Sequence, residues 1–190
     1  GVDCIRAKDG LLYAAAWNGA ALKKRTSDLV RTDGGHAAAI LGVEGELTGF
    51  AFDAAGDVWL TQLTTAGGTL CRAKHDSWGA AVEQVVTQLD GAPLGAVSAV
   101  EVSPAGKVYF AVAAAAGAEN GLESALRTEL LAHTATGCVY VYDPAARTVE
   151  KVLGGVAGAA GLALSPDGST LYVSDLGSRC IWAVDAAARE

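Results

Sequence analysis

Four times along the 190 residues the chain repeats one short programme. The copies are "GVDCIRAKDGLLYAAAWNGAALKK", "LTGFAFDAAGDVWLTQLTTAGGTLCRAK", "VSAVEVSPAGKVYFAVAAAA" resuming at "TGCVYVYDP", and "AGLALSPDGSTLYVSDLGSRCIWAVD". Each has an alternating apolar run, a Gly-containing turn, a β-branched and aromatic run, another turn and a third run, the signature of consecutive hairpins. The turn glycines Gly10, Gly56, Gly106 and Gly168 lie 46, 50 and 62 positions apart, and the longer gaps hold insertions. A fourth run is expected in "TVEKVLGG", "AVEQVVTQL" and "SDLVRT". In "TVEKVL" alternation puts Val149 and Lys151 on one face and Glu150 and Val152 on the other, as on a half-solvated edge strand.

Units of about four strands and 40–50 residues are the blades of a β-propeller. The expected fold is therefore all-β, with blade 1 at about 1–35, blade 2 at about 46–90, blade 3 at about 96–155 and a partial blade 4 at about 159–190. A β-sandwich with irregular hairpins is the alternative. One segment breaks the pattern: "ENGLESALRTELLAH" carries Leu122, Leu126 and Leu130 at spacings of four, which predicts an inserted amphipathic helix near 121–133. Asn120 and Glu123 resemble a capping box, and Glu123 and Arg127 are spaced to pair on the outer face. A helix between the second and third strands of its blade either flanks the central channel or is a packing insert.

A chain 51% hydrophobic and 18% charged is long enough to build a sizeable core. Its net charge of −7 disfavours nucleic acid, whose phosphates draw affinity from surplus Lys and Arg. No apolar run approaches the roughly 20 residues of a membrane span. Cys4, Cys71, Cys138 and Cys180 match no zinc spacing and read as buried free thiols. The chain lacks methionine, which suggests a fragment or a cleaved product.

The stretch "RTELLAHTATGCVYVYDPAARTVEKVLGGVAGAAGLALSPDGSTLYVSDLGSRCIWAVD" resembles the third-to-fourth blade region of strictosidine synthase-like proteins. In that family a helix is followed by "TGRLLRYDP", a Lys- and Val-rich strand, and "PNGVALSPDG". The first copy resembles the family's first blade, a "GPE" followed by a strand, a DG turn and a strand. The wider relatives are the six-bladed gluconolactonase, senescence-marker-protein and paraoxonase group. The resemblance implies about four of six blades in this chain; either another segment or a partner chain completes the ring, or the ring is an unusual closed form with fewer blades. It also implies a calcium ion in the channel of metal-dependent relatives, and secreted or lumenal location.

Position by position, the resemblance places Asp3 where the family has a Glu, Ser98 at a family Asn, and Ala160 at the Asn of "PNG". Val112 stands where a polar residue often ends the third blade's second strand, and Asp175 is the acid the fourth blade keeps. Calcium takes about 6–8 oxygen ligands, so each lost amide or carboxylate lowers affinity. Asp3, Ser98 and Asp175 are thus expected to be a channel remnant, Ala160 and Val112 lost ligand positions, and Asp175 otherwise a turn former.

Other patterns point to structure. "GGVAGAAG" lacks the order of a phosphate loop and reads as a flexible inter-blade connection. His36, His75 and His133 have no zinc spacing, and Trp17, Trp59, Trp78 and Trp182 read as blade-packing aromatics. The expected function is a non-catalytic binding or scaffold module, with a small-molecule ligand in the channel. The alternative is a calcium-assisted lactone or ester hydrolase, or an amine–aldehyde condensing enzyme, with its key residues beyond 190.

Overall fold

The computed structural model describes residues 2–17, 26–33, 36–78 and 82–186. The first sheet holds β1 (Val2–Lys8), β2 (Leu11–Trp17), β3 (Thr26–Thr32) and β4 (Ala37–Glu44). The second holds β5 (Glu46–Phe52), β6 (Val58–Thr64), β7 (Gly67–Ala73) and β8 (Glu83–Val86). A small hairpin, β9 (Gln88–Leu89) with β10 (Ala92–Pro93), leads to the third sheet: β11 (Ala96–Val102), β12 (Val108–Ala114), β13 (Gly137–Asp143) and β14 (Thr148–Val156). The fourth holds β15 (Ala159–Leu164), β16 (Thr170–Asp175) and β17 (Cys180–Asp185), and helix α1 (Leu122–Ala132) lies between β12 and β13. These four sheets are each an antiparallel meander in chain order, and each is one blade of a β-propeller.

The turns set the register. Asp9 and Gly10 both take positive φ, 52° and 77°, the two-residue turn whose twist matches that of paired strands. The next hairpin is longer and is closed by Asp53, whose Oδ1 accepts from the amides of Ala55 and Asp57 at 2.9 and 3.0 Å. Counted from these turns, the pairs Arg6–Tyr13, Ala51–Trp59, Glu101–Tyr109 and Ala163–Tyr172 are equivalent in the four sheets. One aromatic therefore recurs at the same place on every second strand.

That row builds the core. Tyr13 packs with Phe50, Val58 and Leu60 of the second sheet, Trp59 with Val100, Val108 and Phe110 of the third, and Tyr109 with Leu162, Leu171 and Val173 of the fourth. Leu29, Leu70 and Val139, on the third strands, join the same three cores. The blades are thus held face to face by burial, at about 1.5–3 kcal/mol for each large apolar side chain. Arg6 and Glu101 add an ion pair between the first and third sheets; burial pushes the Glu101 carboxyl up, against the pull of Arg6.

Several local expectations change. "SDLVRT" is the third strand of its sheet, and Ala37–Glu44 forms the fourth, so the sheet runs past position 35 to Glu44. "GGVAGAAG" is largely paired strand: β14 continues to Val156 and β15 begins at Ala159. Gly155, with φ of 76°, sits at a register shift within β14, and Gly158, with φ of 86°, lets the chain turn between β14 and β15. Cys71 alone of the four thiols is fully buried, which pushes its pKa up to about 12; Cys4 and Cys138 are half-buried and Cys180 is exposed. Trp59 is buried as expected, Trp78 packs edge-on against Tyr13 and His75, and Trp182 is partly exposed; the Trp17 side chain lies outside the described residues.

Candidate functional site

The first strand of each sheet carries a β-bulge near its start, where the register shifts between Val2 and Ile5, Leu47 and Gly49, Val97 and Ala99, and Ala159 and Gly161. An extra residue in one strand re-aims a side chain out of the regular alternation. The residues so placed are Thr48, Ser98 and Ala160, with Asp3 in the first bulge. Thr48, Ser98 and Ala160 line one cleft of about 580 Å³, walled on its other side by the start of α1. The Asp3 side chain lies outside the described residues.

Helix α1 is fixed over this cleft by all three neighbouring blades. Its N-terminus has no side-chain cap of its own, so Asn120 forms no capping box; Asn120 Nδ2 donates to Glu119 instead. The partner comes from the second blade: the Leu122 amide donates to Glu46 Oε2 at 3.2 Å, placing a carboxylate against the positive end of the helix. Gly45 makes that placement possible, since it has a φ of 79° and a Cβ there would lie 2.1 Å from the Leu63 carbonyl oxygen. At the other end, Leu126 and Leu130 reach Gly158, in the connection from the third blade to the fourth, and Leu130 also reaches Gly177, in the turn between β16 and β17. Among the described residues no ion pair joins Glu123 to Arg127; both are exposed and line the cleft. The insert therefore both packs across the blades and flanks the channel end. Glu46→Ala is expected to cost about 1 kcal/mol, the usual worth of an N-terminal cap, and to speed hydrogen exchange at the Leu122 amide before any change at blade cores.

The hydroxyls of the bulge residues face inward to protein. Ser98 Oγ donates to the Ala159 carbonyl at 2.6 Å, tying the third blade to the fourth. Thr48 Oγ1 lies 3.1 Å from the Thr61 carbonyl and 3.0 Å from the Thr61 hydroxyl. Ala160 offers no donor atom beyond its backbone. A calcium ion wants a shell of about 6–8 oxygens dominated by carboxylates and amides. Here the cleft has one buried carboxylate, Glu46, already accepting from the helix, and two hydroxyls held by backbone or a neighbouring threonine. None of Thr48, Ser98 and Ala160 brings a carboxylate or side-chain amide to the cleft, and the Glu123 carboxylate and Asn120 amide that also line it stand on the helix side.

The remaining expected residues lie elsewhere. Val112 is buried within β12, opposite Val97 and Cys138. Asp175, 2% exposed, ends β16 and serves its own hairpin: Oδ1 accepts from the Ser178 amide and Oδ2 from the Trp182 indole, each at 3.0 Å. Burial pushes its carboxyl up, but these donors outweigh burial and hold it below the ordinary range. These bonds give it a turn-forming role, and its partner across the strands, Ala159, is the residue whose carbonyl Ser98 holds. Thr48 and Glu46 are the site residues that sequence reasoning passed over. Thr48 had a signal, since it precedes Gly56 by eight positions just as Ser98 precedes Gly106 and Ala160 precedes Gly168. Glu46 had none, because its partner is 76 residues away.

Comparison with known proteins agrees with this architecture. The family model described as the SMP-30/Gluconolactonase/LRE-like region matches residues 63–190. Over 144 residues the chain is 29% identical to strictosidine synthase-like protein 12 of Arabidopsis thaliana, covering 75% of this chain and 40% of that protein. Among solved structures, a chain of a nidogen/laminin complex superposes with a TM-score of 0.68 at 14% identity, over 98% of this chain and 61% of the other. A gluconolactonase from Xanthomonas campestris superposes with a TM-score of 0.64 at 18% identity, over 96% of this chain and 67% of that one. The chain thus spans under half the length of its curated relative and about two thirds of these solved neighbours. The repeated blades, the helix inserted after the third blade's second strand and the family match together place this chain in the SMP-30/gluconolactonase/LRE-like family of β-propellers.

Proposed function

We propose that this propeller is a non-catalytic binding module whose channel end holds a small polar ligand and has lost the metal-assisted chemistry expected of hydrolytic relatives. The observation that carries this reading is the set Thr48, Ser98 and Ala160 at equivalent bulges, two hydroxyls held within the protein and one methyl. Metal-assisted hydrolysis needs a cation held as Lewis acid on a carbonyl oxygen, and such a cation needs oxygens free to bind it. What the cleft does offer is a polar wall on α1, with Asn120, Glu123, Ser124 and Arg127, and room of small-molecule size.

Calorimetric titration of this chain with calcium is expected to show no binding tighter than the millimolar range, alongside no hydrolysis of aliphatic lactones or aryl esters above the buffer rate. A single tight calcium site accompanied by calcium-dependent hydrolysis would overturn the reading in favour of the hydrolase alternative. Turnover of an amine with an aldehyde, without calcium, would overturn it in favour of a condensing enzyme.

A further inference from the structure

The cleft between the bulges and α1 carries two opposite charges that the fold does not use. Elsewhere the half-buried cations are matched: Arg6 meets Glu101, Arg72 meets Asp57 and Lys107 meets Asp143. Glu123 and Arg127 are spaced four apart with the glutamate first, the order in which such pairs join most readily along a helix. They do not join, and among the described residues neither side chain has another polar partner. Both line the cleft, and Ser124 lies with them on one face of α1. Four helical residues rise about 6 Å, so the carboxylate and the guanidinium are set roughly one turn apart on a single wall. The other charged residue of the lining, Glu46, already accepts from the Leu122 amide. Between and opposite the two free charges the lining is Leu126, the Ala160 methyl, and Thr48 and Ser98, whose hydroxyls bond within the protein.

We propose, resting on the binding-module reading above, that the ligand of this cleft is a small zwitterion, its ammonium on Glu123, its carboxylate on Arg127 and a short aliphatic body against Ala160 and Leu126. A guanidinium takes a carboxylate through two parallel hydrogen bonds, and a glutamate accepts directly from an ammonium. A simple anion would gain Arg127 but face the Glu123 and Glu46 carboxylates, and a simple cation would gain Glu123 but face Arg127, so each meets a like charge that disfavours it. A ligand bearing both charges answers both side chains. No ion pair between Glu123 and Arg127 has to break before it binds. Every residue invoked belongs to the second, third or fourth blade or to α1.

The probe is γ-aminobutyrate, whose charged ends when extended lie about one helical turn apart, with butyrate and butylamine as its two halves and glycerol as a neutral control. NMR titration of this chain at neutral pH, read at the Ser124 amide, is expected to show the zwitterion binding at least about tenfold tighter than either half, the effect of one further charge-assisted hydrogen bond. Glu123→Gln is expected to bring the zwitterion down to the affinity of butyrate, and Arg127→Gln to that of butylamine. Both positions are exposed, so these variants keep the fold. The exchanged variant, Glu123→Arg with Arg127→Glu, is expected to recover most of the binding, with the ligand reversed. No binding of γ-aminobutyrate, equal binding of the zwitterion and either half, undiminished binding in both single variants, or a folded exchanged variant that recovers nothing would each overturn the proposal. Binding of glycerol alone overturns it while the binding-module reading stands. A tight calcium site with calcium-dependent hydrolysis removes that reading and the zwitterion with it.

Discussion

Replacing Tyr109 with alanine is expected to lower stability by about 3–5 kcal/mol, the range for removing a large aromatic from a close-packed core. Tyr109 is fully buried between the third and fourth blades, against Leu162, Leu171 and Val173, and its hydroxyl lies 3.4 Å from the Ala186 carbonyl. Truncation empties that volume and leaves the acceptor without this donor. The equivalent change Tyr172→Ala, at the same register position one blade later, removes a ring that is 43% exposed. In dilute protein it is expected to change stability by less than about 1 kcal/mol, as surface substitutions do. Urea unfolding of both variants at low concentration measures the contrast. Equal losses at the two positions would show that the row does not work by inter-blade burial.

The same contrast shows what the sequence made legible. The repeat of Gly10, Gly56, Gly106 and Gly168 disclosed the hairpins because turn chemistry is local, and the leucine spacing disclosed α1 for the same reason. The turn at Asp9-Gly10 is shorter than its counterparts, yet the bulge still brings Asp3 into the same register position as Thr48, Ser98 and Ala160. What stayed hidden depends on contacts between blades. Asn120 and Glu123 have capping-box spacing, but the cap on Leu122 is supplied by Glu46, which no local pattern could announce. For Asp175 the sequence left two readings, a channel acid and a strand-end turn former, and its bonds to Ser178 and Trp182 supply the contacts of the second. "SDLVRT" has the composition of any strand, and its place as third rather than fourth is set by pairing with β2 and β4 on either side.

Glu129→Ala is expected to destabilise the chain by about 3 kcal/mol, far more than an exposed helical glutamate would, because it strips several partners at once from one buried carboxylate. Glu129 is 4% exposed on α1 and accepts from the Thr136 amide at 2.6 Å, the Thr136 hydroxyl at 2.7 Å and the Thr134 hydroxyl at 2.9 Å. Those bonds fix the connection from the helix into β13, where the Thr136 hydroxyl also holds the Ala115 amide at 3.0 Å. Burial pushes the carboxyl up, but donation from Thr136 and Thr134 outweighs it and leaves the group below its ordinary value. A carboxylate whose folded pKa is depressed contributes stability that is fully present above its unfolded value, about 4.3, and is lost as pH falls through the folded value. Glu129→Gln keeps the shape and gives up the charge, so the gap in stability between wild type and this variant is expected to be constant at neutral pH and to narrow as pH falls below that unfolded value. Denaturant titrations across that window measure the gap, and a difference that does not change with pH would mean that the carboxylate's charge contributes nothing to holding the helix over the cleft.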